Sequence, residues 1–220
     1  MDNQSFQQPD RGEFALVYVD PALVVANKPT RLLSVPGRGE DKQDCLVRRI
    51  QAVYADALIV HRLDFDTSGL LVLARGKAMH RELSIRFQER KVEKRYVALI
   101  DGRPEKASGE VDLPLIVDWP NRPRHIVDFV QGKPSQTTYR VVGYNSANDT
   151  SRVLLTPHTG RTHQLRVHIQ ALGRPFVGDP LYASEAALVK GDRLMLHAEY
   201  LAFAHPVTGE WMQFDCPPDF

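Results

Sequence analysis

The sequence predicts an α+β fold, a mixed, mostly antiparallel sheet flanked by helices and loops. Two observations lead there. Apolar runs of strand length recur along the whole chain, most of them bounded by Pro, Gly, Asn or Asp. Helical spacing of apolar residues is confined to three segments, near residues 44–54, 77–90 and 162–172. At 220 residues the chain suits one sizeable domain, or one domain with two lobes. Its 43% hydrophobic and 25% charged content is that of an ordinary globular protein. No apolar run approaches membrane-spanning length, and Met1 to Phe6 is too polar for a signal peptide. Cys45 and Cys216 lie far apart without metal-ligand spacing and read as reduced thiols. A cytoplasmic protein with no membrane association is therefore expected.

Taken in order, residues 1–12 are expected to form a disordered tail, rich in Gln and Asp. Residues 14–19 and 23–26 read as strands around an Asp20-Pro21 turn, and Asn27-Lys28-Pro29 ends the second. Residues 32–39 form an irregular loop. Asp44 is placed to cap a helix to about Tyr54, with Leu46, Val47, Ile50 and Val53 on one face. Ala57 to Val60 and Leu70 to Ala74 are short apolar strands. Lys77 to Arg90 reads as an amphipathic helix whose stripe contains Leu83 and Phe87. Lys94 to Ile100 is a strand entered through basic residues. Val111 to Leu115, Lys133 to Val142 and Arg152 to Pro157 are further strands. Between the first two of these lies a Pro-rich, basic surface loop with Trp119, Arg122 and Arg124. In the third helix Thr162 is the expected N-cap, Leu165, Ile169 and Leu172 form the stripe, and Gly173 is the stop. Arg166 falls off the centre of that stripe. Residues 194–203 and 211–214 make a hairpin across Pro206 to Gly209.

Charge is distributed unevenly. The formal net charge is only +1, yet Arg75 to Arg95 holds eight basic residues against three acidic ones. A neutral total with one concentrated basic segment suits a protein that meets a polyanion over a limited surface.

The chemistry concentrates in two places. His61-Arg62-Leu63-Asp64-Phe65-Asp66-Thr67-Ser68-Gly69 is a charged loop pinned between two buried strands, a rigid platform of the kind that carries catalytic groups. Gly69 supplies backbone freedom at its end. Asp64-x-Asp66 is half of a metal site without further ligands at suitable spacing, so no metal is expected. A kinase catalytic loop is excluded because Leu63 separates Arg62 from Asp64 and no Gly-rich phosphate loop is present. The second place is Thr159 to Gly173, which contains Arg161, His163, Arg166 and His168. His163 and His168 are five residues apart and share a helix face poorly, which argues against metal binding.

Both segments, in this order, resemble the signature motifs of the RluA-type pseudouridine synthases. The resemblance spans roughly residues 14–217 and includes Asn27-Lys28-Pro29, Lys94-Arg95-Tyr96 and Leu196-His197-Ala198. It implies a pseudouridine synthase catalytic domain over residues 13–220, without a separate RNA-binding domain ahead of it. Asp64 would be the catalytic carboxylate, with Arg166 as its ionic partner, Tyr96 against the target base and His61 as support. Arg62 would fill the gap left by the flipped base. RNA contacts are expected from Arg62, Arg86, Arg90, Lys91, Lys94, Arg95, Arg122, Arg124 and Arg161. The implied substrates are uridines in stem-loops of 23S rRNA and tRNA, the implied state is a monomer, and no cofactor is needed. Two rivals stand beside this reading. One is a non-catalytic RNA-binding or ribosome-assembly protein on the same fold. The other is a metal-dependent phosphoesterase using His61, Asp64 and Asp66.

Overall fold

The computed structural model describes residues 14–220, so the expected tail over residues 1–12 lies outside the described residues. The strands are β1 (Ala15–Val19), β2 (Leu23–Lys28), β3 (Ala57–Ile59), β4 (Ser68–Arg75), β5 (Glu93–Asp101), β6 (Ser108–Asp112), β7 (Leu115–Val117), β8 (His125–Val127), β9 (Gln136–Asn145), β10 (Thr150–Pro157), β11 (Leu196–Ala204) and β12 (Trp211–Asp215). The helices are α1 (Leu46–Gln51), α2 (Gly76–Gln88), α3 (Gln164–Ala171) and α4 (Glu185–Leu188). The chain divides into two compact units, one containing residues up to 93 and 198–217, the other residues 94–197 and 218–220. Among the described residues no helix is long and apolar enough to cross a membrane.

In the first unit the strands run in the order β1, β2, β4, β11, with β3 also on β4 and β12 on β11. β1–β2, β2–β4, β3–β4 and β11–β12 are antiparallel. β4 is buried from Ser68 to Ala74, as its unbroken apolar run predicts. Asp20 makes the expected turn, its Oδ1 accepting from the Ala22 and Leu23 amides at 2.7 and 2.8 Å. Leu23, Val25, Leu70, Val72, Leu83, Leu201 and Phe203 share one core, against which Met79 and Phe87 of α2 pack. Each such side chain contributes about 1.5–3 kcal/mol when fully buried. Gly69 takes φ +115°, and a Cβ there would lie 2.3 Å from the carbonyl oxygen of Ala198. The freedom assigned to it is thus required twice, by its backbone and by the close approach of β11. Cys45 and Cys216 are both buried, and burial pushes the Cys216 thiol up to about 11.

Two helix ends depart from expectation. Asp44 does not cap α1; it pairs with Arg49 at 2.6 Å on the surface. The first amides of α1 are satisfied from outside the helix, Leu46 N–H donating to the Leu33 carbonyl (2.8 Å) and Val47 N–H to the Ser34 carbonyl (3.2 Å). Val53 lies beyond the helix and is exposed. At the end of α2, Lys91 N–H donates to the Arg86 carbonyl (2.9 Å) and Arg90 N–H to the Phe87 carbonyl (3.2 Å). This is a Schellman closure, and Arg90 sits at its left-handed position with φ 60° where glycine is usual.

In the second unit the strands run β5, β10, β9, β6, each neighbouring pair antiparallel. Their core gathers Ala98, Ile100, Val111, Val153, Leu155 and Phe176 with Leu165 and Ile169 of α3. The expected Val111 to Leu115 strand is two strands, β6 and β7, separated by Leu113-Pro114, because Pro114 has no amide to continue a ladder. The expected surface loop contains a strand as well: β7 and β8 pair as a two-stranded ribbon, Leu115 opposite Val127. It is fastened to the unit by Leu115 and Val127, which pack with Val167 and Tyr182.

His168 ties α3 to this unit through a buried network. Its Nε2 lies 3.0 Å from the Leu113 carbonyl, to which it donates, and its Nδ1 lies 2.9 Å from the Thr137 hydroxyl. Nε2 therefore carries a proton, since a carbonyl can only accept. Burial lowers its pKa below the ordinary 6.5, outweighing the Leu113 carbonyl and the Asp112 charge, which raise it. The unfolded chain thus takes up the proton before the folded one. Stability from this group is complete above pH 6.5 and is lost as the pH falls below that value. Urea unfolding between about pH 7.5 and 5 should show a steeper loss for the native chain than for His168→Asn. Arg90→Gly should raise unfolding stability by roughly 0.5–1 kcal/mol, the relief of left-handed strain less glycine's chain entropy, read from the urea midpoint.

Candidate active site

The loop between β3 and β4 is held by side chains that reach it from the β2–α1 segment. Ser34 Oγ donates to the Leu63 carbonyl (2.7 Å) and accepts from the Leu63 amide (3.0 Å). Thr30 Oγ1 donates to the Asp66 carbonyl at 2.7 Å. Lys28 Nζ donates to the carbonyls of Pro29 (2.8 Å), Leu32 (2.7 Å) and Phe65 (3.2 Å). Asp64 closes a turn of its own, its carbonyl accepting from the Thr67 amide at 3.2 Å. The peptides on both sides of Asp64 are thereby fixed, while its side chain is only half-buried. A carboxylate on a clamped backbone loses little freedom when a substrate arrives.

Lys28 has no exposed surface. Burial pushes its ammonium down to about 7, and the carboxylates of Asp64 and Asp66 oppose that fall. All three N–H bonds of the ammonium find carbonyl acceptors, which is how a buried cation is tolerated. The sequence reading ends a strand near Lys28 and leaves Ser34 in an irregular loop, and it does not bring Lys28, Thr30 and Ser34 together as a clamp.

His61 has a structural role. Its Nε2 accepts from the Val72 amide at 3.1 Å, and its ring stacks on Phe87 with centroids 4.4 Å apart. That nitrogen is therefore committed to the backbone of β4. Among the described residues no group of three or more His, Cys, Asp or Glu side chains is disposed to hold a metal ion. Arg62 is exposed beside it.

In the second unit Tyr96 is half-buried on β5, opposite Leu155 of β10, and packs against the core. Arg166 is 2% exposed, so its displacement from the apolar stripe does not bring it to the surface. Every residue from Gln164 to Ile169 is buried, because the first six residues of α3 are enclosed on all sides. Arg166 meets Asp179 in a two-pronged ion pair, Nε to Oδ2 at 2.9 Å and Nη2 to Oδ1 at 2.6 Å. Asp179 Oδ1 also accepts from the amides of Leu181 (2.9 Å) and Tyr182 (3.1 Å). Thr162 is not the N-cap of α3. His163 holds that position with φ 56°, and its Nδ1 lies 2.7 Å from the Tyr182 hydroxyl. Tertiary bonding at His163 overrides the local capping preference.

The basic residues differ in how they are held. Arg90 and Lys91 are exposed, Lys91 beside Glu89 at 2.8 Å. Arg86 is half-buried with its Nε enclosed, and Lys94 and Arg95 are half-buried on β5. Arg75 belongs to the scaffold, bonded to Asp56 at 3.1 Å and to the Asp20 carbonyl at 3.2 Å. Arg122 lies over the exposed Trp119 ring, 4.4 Å from its centroid. Arg124 lies 5.3 Å from the Tyr182 ring centroid, and Arg161 is exposed with Nε donating to the Pro134 carbonyl at 3.3 Å.

Ser34 offers the cleanest test of the clamp. Ser34→Ala leaves the Leu63 amide and carbonyl without their partner, and should cost about 1–3 kcal/mol of stability in urea unfolding.

Comparison with known proteins joins these observations. A family model described as RNA pseudouridylate synthase matches residues 22–171, which include Asp64, Tyr96 and Arg166. The dual-specificity RNA pseudouridine synthase RluA of Escherichia coli is 50% identical over 220 residues, all of both chains. The protein of the same name from Pasteurella multocida is 47% identical over 216 residues, 98% of each chain. Among solved structures, human RNA pseudouridylate synthase domain containing 1 matches with TM-score 0.80 and 31% identity, over 98% of this chain and 87% of that one. The α+β class and the resemblance of the two motifs are both borne out. The chain belongs to the RNA pseudouridine synthase family, whose members isomerise uridine to pseudouridine in RNA.

Proposed function

We propose that this enzyme modifies uridines in stem-loops of 23S rRNA and of tRNA, with Asp64 as the catalytic carboxylate. The reaction breaks the N1–C1′ glycosidic bond and makes a C5–C1′ bond. C5 gives up a proton and N1 gains one, so atoms and electrons balance without a redox partner. The chemistry requires one ionised carboxylate at the ribose or base, either as a nucleophile or as a base for a sugar proton. The clamped loop that presents Asp64 is the observation that carries this reading. The dual-specificity name of the relatives supports two kinds of RNA substrate, and the choice of 23S rRNA and tRNA follows the family resemblance.

Tyr96 would stack on the target uracil, an interaction worth about 1–3 kcal/mol per base that does not depend on base identity. Arg166 would be the ionic partner of Asp64, as the family resemblance implies. Flipping the target base out of its stack costs a few kcal/mol, least in a loop. Arg62, exposed next to Leu63, would repay part of that by filling the vacated space. Arg86, Arg90, Lys91, Lys94, Arg95, Arg122, Arg124 and Arg161 would meet the phosphates. Residues 13–220 would act together as one catalytic domain, in a cytoplasmic monomer.

Tritium release from RNA labelled at uracil C5 tests the assignment. Wild-type protein should release tritium from both a 23S stem-loop and a tRNA anticodon stem-loop, with a metal chelator present. Asp64→Asn should slow release by at least about a thousandfold while still binding RNA. Release by Asp64→Asn near the native rate would overturn the role of Asp64. Release from only one of the RNAs would overturn the dual substrate range.

A further inference from the structure

We propose that Asp179 and Tyr182 are positioning residues that aim the Arg166 guanidinium, a reading that rests on the role given above to Arg166. The guanidinium is held in two independent ways. Asp179 fixes its Nε and Nη2 edge at 2.9 and 2.6 Å, which sets its position and its rotation within the plane. The Tyr182 ring lies 5.1 Å from Cζ, which sets the tilt of that plane. With both in place, Nη1 points away from Asp179 in a direction fixed by the fork.

The holders are themselves held. Asp179 is 1% exposed, and its Oδ1 takes the Leu181 and Tyr182 amides in addition to Nη2. A carboxylate with both oxygens so engaged is fixed in orientation. The Tyr182 hydroxyl accepts from the His125 amide of β8 at 2.8 Å and meets His163 Nδ1 at 2.7 Å. His163 adopts a left-handed backbone, φ 56°, to bring its ring there. Three segments thus converge on one guanidinium: the start of α3, the 179–182 loop and the end of the β7–β8 ribbon.

Simple stabilisation does not account for this arrangement. A buried ion pair is often no more stabilising than apolar residues of the same volume. A long side chain immobilised in the folded state, by contrast, needs no ordering when charge develops beside it. Preorganisation of Arg166 is what the arrangement supplies.

The test is single-turnover tritium release from a C5-labelled tRNA anticodon stem-loop, alongside RNA affinity and thermal melting. Asp179→Asn should lower the rate constant by about a hundredfold, the effect of misplacing a reacting partner by about an ångström. Tyr182→Phe keeps the ring and loses the hydroxyl, and should lower it by about tenfold. Both should bind RNA within about threefold of the native protein, which separates aiming from binding. In an Arg166→Ala background, Asp179→Asn should add no further loss, because what it aims is gone. A purely structural Asp179 would add its loss there too, and that result would overturn the proposal. So would a folded Tyr182→Phe with the native rate, which decides the matter even where Asp179→Asn does not fold. A native rate for Arg166→Ala alone would instead remove the role given to Arg166 itself.

Discussion

An ammonium group without solvent holds the loop that carries Asp64 in place. Lys28 ends β2, opposite Gly69 at the start of β4, and its three N–H bonds reach Pro29, Leu32 and Phe65. It therefore joins the chain just after β2 to the chain just after Asp64. Ser34 extends the same junction, since its hydroxyl clamps Leu63 while its carbonyl takes the Val47 amide at the start of α1. The Asp64 loop, the 29–34 loop and the first turn of α1 are consequently one hydrogen-bonded block. Polar side chains sit inside it because irregular backbone buried from water must still find partners.

The second unit solves a related problem with a different device. Arg166 is a guanidinium in a largely buried helix, and Asp179 orients it with fork geometry that a lysine would not match. Around that pair the remaining polar groups are used in full: two amides on Asp179, an amide and an imidazole on the Tyr182 hydroxyl, a hydroxyl and a carbonyl on His168. Both units thus place charged or polar side chains where apolar ones would pack more cheaply, and both do so beside residues assigned to the reaction. Left-handed backbone occurs beside both, at Gly69 and His163, as it does elsewhere in the chain.

How much of this could be read from the chain depends on how local the cause was. The Asp64 loop was legible because an apolar strand, a charged turn and a second apolar strand follow one another without interruption. Gly69 was legible for the same reason. The ends of α1 and α3 were not, because Asp44 and Thr162 are sound local caps that lost to carbonyls and rings from elsewhere in the chain. His61 entered the reading as the first residue of the signature loop; its tie to the Val72 amide has no signature in composition or spacing. Lys28 and Ser34 escaped because backbone carbonyls, their partners, look alike in every sequence. Asp179 left a fainter trace. An arginine among residues as apolar as Leu165, Val167 and Ile169 calls for a buried anion, a cue that the sequence reading did not take up. Spacing alone did not single it out.

The burial of both cysteines bears on how the enzyme can be studied. Cys45 has no exposed surface, and the Cys216 thiol, pushed up to about 11, carries almost no thiolate at neutral pH. Neither presents a nucleophile to an alkylating dye. A single cysteine introduced at an exposed site, such as Val130 beyond β8, would then be the one fast-reacting thiol among the described residues. A fluorophore or spin label attached there would report on the β7–β8 ribbon as RNA arrives, with the native thiols left as they are.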